Sequence, residues 1–397
     1  MKFTIDKSII LENIIDVVRA ISSKNIIPIL NGIKLELNKD GLYLTASDSE
    51  LLIKTLITKD KIKHIDNEGI IIVQSDRIVD IIRNMPQDDI NFEVLEGYKI
   101  NISSGNSKYN LNCYDPSEYP NIKIEEHKNP IIINSSVIKK MVSQTVFAIS
   151  TQELRPLLTG INIKITGDIL ECIATDSYRL AKKTIKLDKA VDEDINIVMP
   201  GKNILELDKI IDDENNLEIH IFNNKIIFKY NDLIFQSNLL AGAYPNTTNL
   251  IPNEFLIILN SNLSDFNSAI IRAALLTNSR DKNIIKMHLS KNNLTISSIA
   301  EQGSSSEQLE VESNYNEEFD ISFSARYMLE ALKTFKDEQI LILLNGDTKP
   351  IVIKSTEDES LIQLIYQLKH IKIKKINKFL NKFVFFVDKF IVIDKYW

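Results

Sequence analysis

The feature of this sequence that most constrains its fold is an internal repeat with a period of about 125 residues. Residues 27–37, IPILNGIKLEL, return at 155–165 as RPLLTGINIKI, at an offset of 128 residues. Residues 46–52, ASDSELL, return at 174–180 as ATDSYRL, and the offset is again 128. Matches in one order and at one spacing indicate a structural unit that occurs more than once.

Further matches extend the repeat along the chain. The tripeptide Tyr-Pro-Asn closes the first two copies, at 119–121 and 244–246. A third copy is fainter: residues 294–311 occupy the position of 169–185, but the acid–serine phrase is absent there. Active sites seldom occur twice in one chain, so the repeated Asp-Ser phrase indicates architecture before it indicates catalysis.

The three copies share a predicted order of elements. A strand opens each copy: KFTID at 2–6, PIIIN at 130–134 and EFLIILN at 254–260. An amphipathic helix follows, for example at 8–22, where apolar residues recur at helical spacing. After alternating strands comes a second short helix, for which Ser75 in the first copy and Ser324 in the third are N-cap candidates.

This pattern predicts the fold class and the domain organisation. Two helices packed on an antiparallel sheet, three times over, define an α+β fold. We expect domains at 1–127, 128–252 and 253–369, followed by an atypical tail at 370–397.

The charge balance limits how the chain can bind nucleic acid. The net charge of −7 is uneven, because residues 369–397 carry eight lysines and two aspartates while the remaining 368 residues have a net charge of −13. Such a body does not bind nucleic acid through bulk attraction, so any contact requires a local basic face. A solvated face of mixed charge is the alternative interpretation. Basic residues recur on or near the predicted helices of every copy: Arg19, Lys24, Arg77, Arg83, Lys139, Lys140, Lys202, Lys209, Arg272, Arg326 and Lys333.

Catalytic and metal-binding motifs do not stand out. Cys113 and Cys172 lie far apart, which argues against a disulfide framework or a zinc site and favours a reducing compartment. The first ten residues alternate like a strand and lack the apolar region of a signal peptide. We therefore expect a cytoplasmic protein without cofactor, metal or membrane partner. The rival is an enzyme built on Asp176 with Ser177 or Tyr178, although no histidine lies nearby in sequence and no phosphate-binding loop is present.

The motifs together resemble a known family. The start MKFTI, the IPIL motif at 27–30, the ATDSYRLA motif at 174–181 and the YPN motif at 244–246 resemble the bacterial DNA polymerase III beta subunit, the sliding clamp. The resemblance covers residues 1–369 in order. It implies a head-to-tail homodimer closed into a ring around duplex DNA, which tethers a polymerase and has no catalytic site. A closed ring also leaves no free sheet edge. The alternative function is a peptide-binding scaffold that does not encircle DNA.

The resemblance also assigns candidate residues to three surfaces. The first surface is a pocket for a short extended peptide. Its apolar wall would be supplied by Leu158, Thr175, Leu180, Pro245 and Leu250, and the residues that orient the peptide would be Arg155, Ser177, Tyr178 and Arg179. The last residues that the resemblance covers would complete it: Ile365, Tyr366, Gln367, Leu368 and Lys369. Candidates for sequence-independent contact with double-stranded DNA are Lys24, Arg77, Arg83, Gln152 and Lys202. Candidates for the dimer interface, unless they are ordinary core residues, are Tyr109, Leu111, Leu275 and Leu276. The partners implied are the DNA polymerase III catalytic subunit, the clamp loader, other polymerases and repair proteins.

The end of the chain departs from the family pattern. Family members usually finish with Met-Pro, an apolar residue and Arg, whereas Gln367 stands here in place of the proline and Lys369 in place of the arginine. The segment 370–397 then continues as HIKIKKINKFLNKFVFFVDKFIVIDKYW. It is interpretable as an amphipathic membrane- or partner-binding helix, as a strand-like extension or as the product of a shifted reading frame in AT-rich DNA. The abrupt departure favours the shifted frame.

The altered ending predicts weaker peptide binding. A chain whose residues 366–369 are replaced by Met-Pro-Val-Arg and which stops there should bind a clamp-binding pentapeptide more tightly than the full chain. Fluorescence anisotropy with a labelled pentapeptide measures both affinities. Equal affinities would remove the idea that the ending damages the pocket.

Overall fold

The computed structural model describes residues 1–22, 25–127, 129–152, 154–277 and 283–368. These residues form two compact units. The first unit comprises Met1–Asp176 and Lys182–Pro245, and the second comprises Ser177–Ala181 and the described residues from Asn246 onward. The tail at 370–397 and the candidate residues Lys24 and Lys369 lie outside the described residues.

The first repeat alternates strands with two helices. Its elements are β1 (Lys2–Asp6), α1 (Lys7–Val18), β2 (Gly32–Asn38), β3 (Gly41–Ser47), β4 (Leu51–Thr58), β5 (Ile62–Asn67), β6 (Gly69–Gln74), α2 (Ser75–Arg83), β7 (Asp89–Leu95), β8 (Lys99–Ser104) and β9 (Ser107–Tyr114).

The second repeat keeps this order without a counterpart of β5. Its elements are β10 (Ile131–Asn134), α3 (Ser135–Thr145), β11 (Gly160–Thr166), β12 (Ile169–Thr175), β13 (Arg179–Lys186), β14 (Ile195–Pro200), α4 (Gly201–Ile210), β15 (Asn216–Ile221), β16 (Lys225–Tyr230) and β17 (Leu233–Asn238).

The third repeat has the same order as the first, with the short strand β22 in the place of β5, because each of the two pairs with the opening strand of its repeat. Its elements are β18 (Ile257–Asn262), α5 (Leu263–Ala274), β19 (Ile284–Ser290), β20 (Asn293–Ala300), β21 (Gly303–Glu310), β22 (Glu312–Ser313), β23 (Glu318–Ser324), α6 (Ala325–Leu332), β24 (Gln339–Leu344), β25 (Ile351–Ser355) and β26 (Leu361–Ile365). The prediction of three similar α+β repeats, each with two helices, is confirmed.

The first two repeats share one sheet in the first unit. Its 13 strands run in the order β10-β15-β16-β17-β4-β3-β2-β6-β9-β8-β7-β1-β5. The join between the repeats is the antiparallel pair of β17 and β4, which runs from Leu233 opposite Thr55 to Ser237 opposite Leu51. Strand β11 pairs separately with β12 and β14.

The second unit contains two smaller groups of strands. One has the order β21-β20-β19-β23, so that β21 is an edge strand. In the other, β18 pairs with β24 and briefly with β22, and β25 pairs with β24 and β26. Helices α5 and α6 pack against each other, and α5 also contacts β20 and β21.

The helices bury one face each, as the apolar spacing predicts. On α1 the buried residues are Ile10, Ile14 and Val17, and the helix packs on β3 and β4. Near its start, the rings of Phe3 and Phe92 stack at 4.8 Å between centroids and are both buried. The opposite helix faces remain accessible to solvent.

Three boundaries differ from the prediction. The helix predicted at 8–22 ends at Val18, because the backbone N–H groups of residues 19–21 bond to carbonyls three positions earlier and tighten the last turn. The strand predicted at 254–260 begins at Ile257. Ser75 is not an N-cap: α2 begins at Ser75 itself, so that Gln74 occupies the cap position, and its side chain makes no capping bond. The Ser324 cap is correct, because its side chain accepts from the Tyr327 N–H.

A charged contact links the first helix of one repeat with the second helix of the next. The Arg19 Nη1 lies 3.3 Å from the Glu206 Oε2 on α4, and the Arg19 Nε lies 3.8 Å from the Asp16 Oδ1. Burial raises the pKa of Asp16 to about 6, and the attraction of Arg19 offsets only part of this shift.

Replacing Asp16 by Asn should stabilise the protein more at high pH than at low pH. A carboxyl group whose folded-state pKa is raised contributes stability that is complete below its unfolded pKa of 3.8 and is lost as the pH rises through about 6. The free energy of unfolding of Asp16→Asn, taken relative to that of the parent protein, should therefore increase by roughly 2 kcal/mol between about pH 4 and pH 8. Urea titrations at the two pH values measure it.

The matched control is Asn13→Ala on the same helix. This change removes the bonds of the Asn13 amide to the Ile9 carbonyl and the Thr55 hydroxyl without altering any ionisable group. Its effect on stability should be the same at both pH values. A pH-independent effect of Asp16→Asn would contradict the shifted pKa.

Candidate functional site

The repeated Asp-Ser phrase forms the same turn in both copies. Ser49 between β3 and β4 has φ 77°, and Ser177 between β12 and β13 has φ 74°, a left-handed conformation that is uncommon for residues other than glycine. In the first copy the Asp48 Oδ1 accepts from the N–H groups of Glu50 and Leu51, at 3.1 and 2.9 Å. The acid of the phrase therefore holds a tight turn in the first copy, and the recurrence of the turn explains why the phrase recurs.

Arg179 is buried in the second unit by two partners on α6. Its Nη1 donates to the Glu330 Oε2, and its guanidinium carbon lies 4.6 Å from the centre of the Tyr327 ring. Only 9% of its side chain is exposed. Because little of its guanidinium is accessible to a ligand, Arg179 contributes to the candidate site by fixing the positions of Tyr327 and Glu330.

The residue that Arg179 supports is half of an aromatic pair. The rings of Tyr178 and Tyr327 stack with 6.3 Å between their centroids, and the exposed Arg326 lies 5.0 Å from the Tyr327 ring centre. Tyr178 itself is 44% exposed. The pair offers a flat, amphipathic surface of the kind that anchors peptide side chains. Our sequence analysis missed Tyr327, whose signal was an aromatic residue on α6 where α4 carries the buried Asn203.

The described end of the chain runs beside this pair. The Tyr366 N–H donates to the Tyr178 carbonyl at 2.9 Å, and the Leu368 N–H donates to the Ser322 carbonyl at 2.7 Å. Ile365, the last residue of β26, is buried, whereas Tyr366, Gln367 and Leu368 are half-buried. These bonds bring Tyr178 and the C-terminal segment together in the second unit.

Gln367, which stands where the family has proline, adapts to its position incompletely. Its side-chain Nε2 donates to the Thr348 carbonyl. Its Oε1 is buried and has no hydrogen-bond partner among the described residues. A buried acceptor without a donor destabilises its surroundings, so Gln367 fits this position less well than a side chain without an amide would.

The other pocket candidates divide between the two units. In the first unit, Leu158 and Thr175 are buried while Arg155 and Pro245 are exposed. The Thr175 N–H donates to the Tyr244 hydroxyl at 3.1 Å, so the YPN motif is tied to the end of β12. In the second unit, Ser177 is exposed, Leu180 is buried and Leu250 is half-buried.

The described candidates for DNA contact are exposed, and each cation has an acidic neighbour. The Arg77 Nε lies 3.7 Å from Asp76, and the Arg83 Nη1 lies 3.5 Å from Asp80. Gln152 is exposed in the loop before residues 155–160, the RPLLTG segment of the second repeat, and carries no charge.

Lys202 shows the same pairing at the start of α4. Its Nζ lies 3.5 Å from the Asp48 Oδ2 and 3.8 Å from the Glu50 Oε2, with 60% of its side chain exposed. Other basic residues are structural: the Lys139 amine donates to the carbonyls of Asp208 and Ile211. A phosphate at one of these exposed cations would compete with the neighbouring carboxylate, and such a contact would be weak.

Two of the interface candidates are too exposed for ordinary core residues. Leu275, just after α5, is 75% exposed, and Tyr109 on β9 is 41% exposed. Leu111 and Leu276 are half-buried. The interpretation of all four as ordinary core residues is therefore wrong for Leu275 and Tyr109, and the four stay candidates for contact with another chain.

The cysteines and the paired histidines do not add catalytic groups to the ATDSYRLA segment. Burial raises the pKa of the Cys113 and Cys172 thiols to about 12, which keeps both thiols protonated and unreactive. Histidines pair away from the ATDSYRLA segment, as in the 2.8 Å contacts of His64 with Asp66 and of His288 with Asp320. Within the described residues there is no group of three or more His, Cys, Asp or Glu side chains arranged to hold a metal. In the same residues, no helix has the length and apolar character needed to cross a membrane.

Comparison with known proteins finds one family throughout. Models of the N-terminal, central and C-terminal domains of the DNA polymerase III beta subunit match residues 1–123, 132–246 and 248–369. The beta sliding clamp of Bacillus subtilis (strain 168) is 40% identical over 373 residues, covering 92% of this chain and 98% of the relative. That of Staphylococcus aureus (strain Mu50) is 35% identical, covering 93% and 99%.

Solved structures agree with the sequence comparison. The DNA polymerase sliding clamp from Bacillus subtilis matches with a TM-score of 0.90 and 38% identity, over 93% of this chain and 99% of that chain. The DNA polymerase III beta chain from Streptococcus pneumoniae matches with a TM-score of 0.89 and 28% identity, over 93% and 100%.

Replacing Arg179 by Met should destabilise the second unit by about 2 kcal/mol, because Glu330 loses its partner and Tyr327 its supporting cation. Glu330→Gln should also destabilise, and the double variant should cost less than the sum of the two, with a coupling of about 1 kcal/mol. Urea unfolding followed by near-UV circular dichroism measures the cycle. The control is Arg326→Met, whose exposed side chain should change stability by no more than about 0.5 kcal/mol. Equal costs at 179 and 326 would show that Arg179 is not a buried tie.

Proposed function

Because the chain belongs to the DNA polymerase III beta subunit family, the bacterial beta sliding clamps, we infer that it acts as a sliding clamp and has no catalytic site of its own. The observation that carries this function is the match of the three domain models, in order, to a chain that repeats one fold three times. The family implies a homodimer that acts with DNA and a polymerase. For the domains we propose the bounds 1–127, 128–252 and 253–369.

The way in which the chain joins its own repeats supports a head-to-tail dimer. In the first unit, β4 of one repeat pairs edge to edge with β17 of the next. By its place in the repeat, β21 of the third repeat is a counterpart of β4, and β9 of the first repeat is a counterpart of β17. Strand β21 is at the end of its sheet, and the part of β9 from Ser107 to Asn112 pairs only with β8 in the described chain. We propose that β21 of one copy pairs with β9 of another, because two such joins close a ring without free edges.

The interface candidates lie at the two ends of this proposed join. Tyr109 and Leu111 are on β9 itself, and Leu275 and Leu276 follow α5, which packs on β21. Exposed leucine and tyrosine side chains flanking an unpaired edge provide the apolar contact that main-chain bonds alone lack.

Retention on DNA then follows from topology. The body of the chain is acidic, and the exposed cations at Arg77, Arg83 and Lys202 each have a carboxylate nearby. Contacts of this kind are weak and carry no sequence information. We propose that these residues, with Lys24 and Gln152, contact phosphates while enclosure keeps the protein on the duplex.

The partner-binding surface is proposed at the ATDSYRLA segment. Tyr178 and Tyr327 supply an exposed aromatic face held from behind by Arg179. Leu158, Thr175, Leu180, Pro245 and Leu250 would supply apolar contacts, and Arg155 and Ser177 would orient the peptide. Such a surface takes a short extended peptide through a few buried anchors. We propose that this peptide belongs to the DNA polymerase III catalytic subunit, the clamp loader, other polymerases and repair proteins.

The C-terminal segment limits the strength of this binding. Ile365, Tyr366, Gln367 and Leu368 would complete the surface, together with Lys369. The Gln367 Oε1, which has no partner among the described residues, supports a less favourable ending than the proline that the resemblance implies.

Enclosure predicts that retention depends on DNA topology. After loading by a bacterial clamp loader with ATP, the protein should co-elute with closed circular plasmid in gel filtration. It should be lost from the DNA when a single-site restriction enzyme linearises the plasmid, because a ring slides off a free end.

Blocked ends supply the matched control. Linear DNA carrying biotin at both ends should retain the protein once streptavidin is bound there, although no sequence or charge of the duplex has changed. Equal retention on open linear and closed circular DNA would contradict enclosure and favour the scaffold that does not encircle DNA.

A further inference from the structure

The C-terminal end of α5 is fastened to the sheet by two serines. The helix ends at Ala274, and the Ala273 carbonyl accepts hydrogen bonds from the Ser298 hydroxyl at 2.7 Å and the Ser305 hydroxyl at 2.8 Å. Carbonyl groups in the last turn of a helix have no partner within the helix. The serine hydroxyls supply one here, in a place where Ser298 is only 4% exposed.

The two serines are themselves a cross-strand pair. Ser298 on β20 lies opposite Ser305 on the edge strand β21, and their hydroxyl oxygens are 2.9 Å apart. Beside this pair, the Arg272 Nε on α5 donates to the Glu307 Oε2 on β21 at 2.8 Å. Arg272 directly precedes Ala273, and Glu307 follows Ser305 by two residues. The end of α5 and the edge strand are therefore connected by side-chain bonds as well as by packing.

This connection joins the two parts of the proposed subunit contact. The edge strand offers main-chain groups, and Leu275, two residues after Ala273, offers an exposed apolar side chain. The edge of β21 and the Leu275 side chain would contact the partner chain at the same time. If the end of the helix were mobile, ordering it on association would cost conformational entropy, so a fixed position of Leu275 relative to β21 favours binding.

We propose that Ser298 and Ser305 are positioning residues for the subunit contact: their hydroxyls bind the Ala273 carbonyl and so hold Leu275 in register with the edge of β21. This inference rests on the proposed homodimer. Without the two donors the Ala273 carbonyl is left unpaired beneath the helix, the last turn of α5 loosens, and Leu275 loses its fixed position. The serines need not touch the partner to affect its binding.

The test compares two pairs of serines on the same two strands. Ser298→Ala with Ser305→Ala removes both donors to the helix. Ser297→Ala with Ser306→Ala is the matched control, because Ser297 and Ser306 are also cross-strand partners and their side chains alternate to the other face of the sheet. Leu275→Ala tests the interface itself. The dimer dissociation constant is measured for each full-length variant by sedimentation over a dilution series, and hydrogen exchange is followed at the amides of 275–277.

The donor pair should raise the dimer dissociation constant about tenfold and speed exchange at 275–277, whereas the control pair should stay within about twofold. Leu275→Ala should weaken the dimer without speeding exchange at the amides of 276 and 277. A dimer weakened by Leu275→Ala but unchanged by the donor pair would overturn the positioning role and leave the interface intact. A dimer unchanged by Leu275→Ala would overturn the proposed interface instead.

Single substitutions keep the test valid if the double variant fails to fold. Ser305 is half-buried, so Ser305→Ala removes one donor at a more tolerant position. Ser305→Thr retains the hydroxyl and should restore the parent dissociation constant. Equal weakening by Ala and Thr at 305 would overturn the hydrogen-bonding role.

Discussion

A β-sheet edge carries a row of backbone groups that need hydrogen-bond partners, and this chain supplies them from its own next repeat. Strand β17 meets β4 in antiparallel register, so that the first two repeats become one sheet of 13 strands. Two charged contacts also link the same two repeats: Lys202 lies near Asp48 and Glu50, and Arg19 lies near Glu206 in the helix layer. The proposed ring requires no new kind of contact, because it applies the same join between chains.

The same turn serves different ends in different repeats. Ser49 and Ser177 share a left-handed conformation, which shows that the backbone of the phrase is retained. After the first turn comes Glu50, which lies near the Lys202 amine. After the second come Tyr178 and Arg179, which meet Tyr327 and Glu330 on α6. Side chains at equivalent positions thus make a charged fastening in one copy and an aromatic surface in another.

The features of the fold that could be predicted from the sequence are those that leave a periodic or repeated pattern in it. The repeats, their helix pairs and the shared turn follow from local patterns, and the family resemblance was correct because its motifs are spread over the whole chain. Helix boundaries were less accurate, since the end of α1 depends on a tightened turn and α2 begins one residue earlier than a cap at Ser75 would require, with Gln74 at the cap position. The resemblance predicts that Arg179 orients a bound peptide, and local spacing gives no sign that it also contacts Tyr327 and Glu330, 148 and 151 positions away. Contacts over such distances leave no trace in local spacing.

In the proposed contact with DNA, the acidic neighbours of Arg77, Arg83 and Lys202 would affect movement along the duplex. A cation that leaves one phosphate would pair with its neighbouring carboxylate before it reaches the next phosphate, so the bound and unbound arrangements would differ little in energy. The energy profile along the helix axis would then be shallow, and the protein would move along it with low friction. Fewer carboxylates would strengthen each phosphate contact and slow the movement.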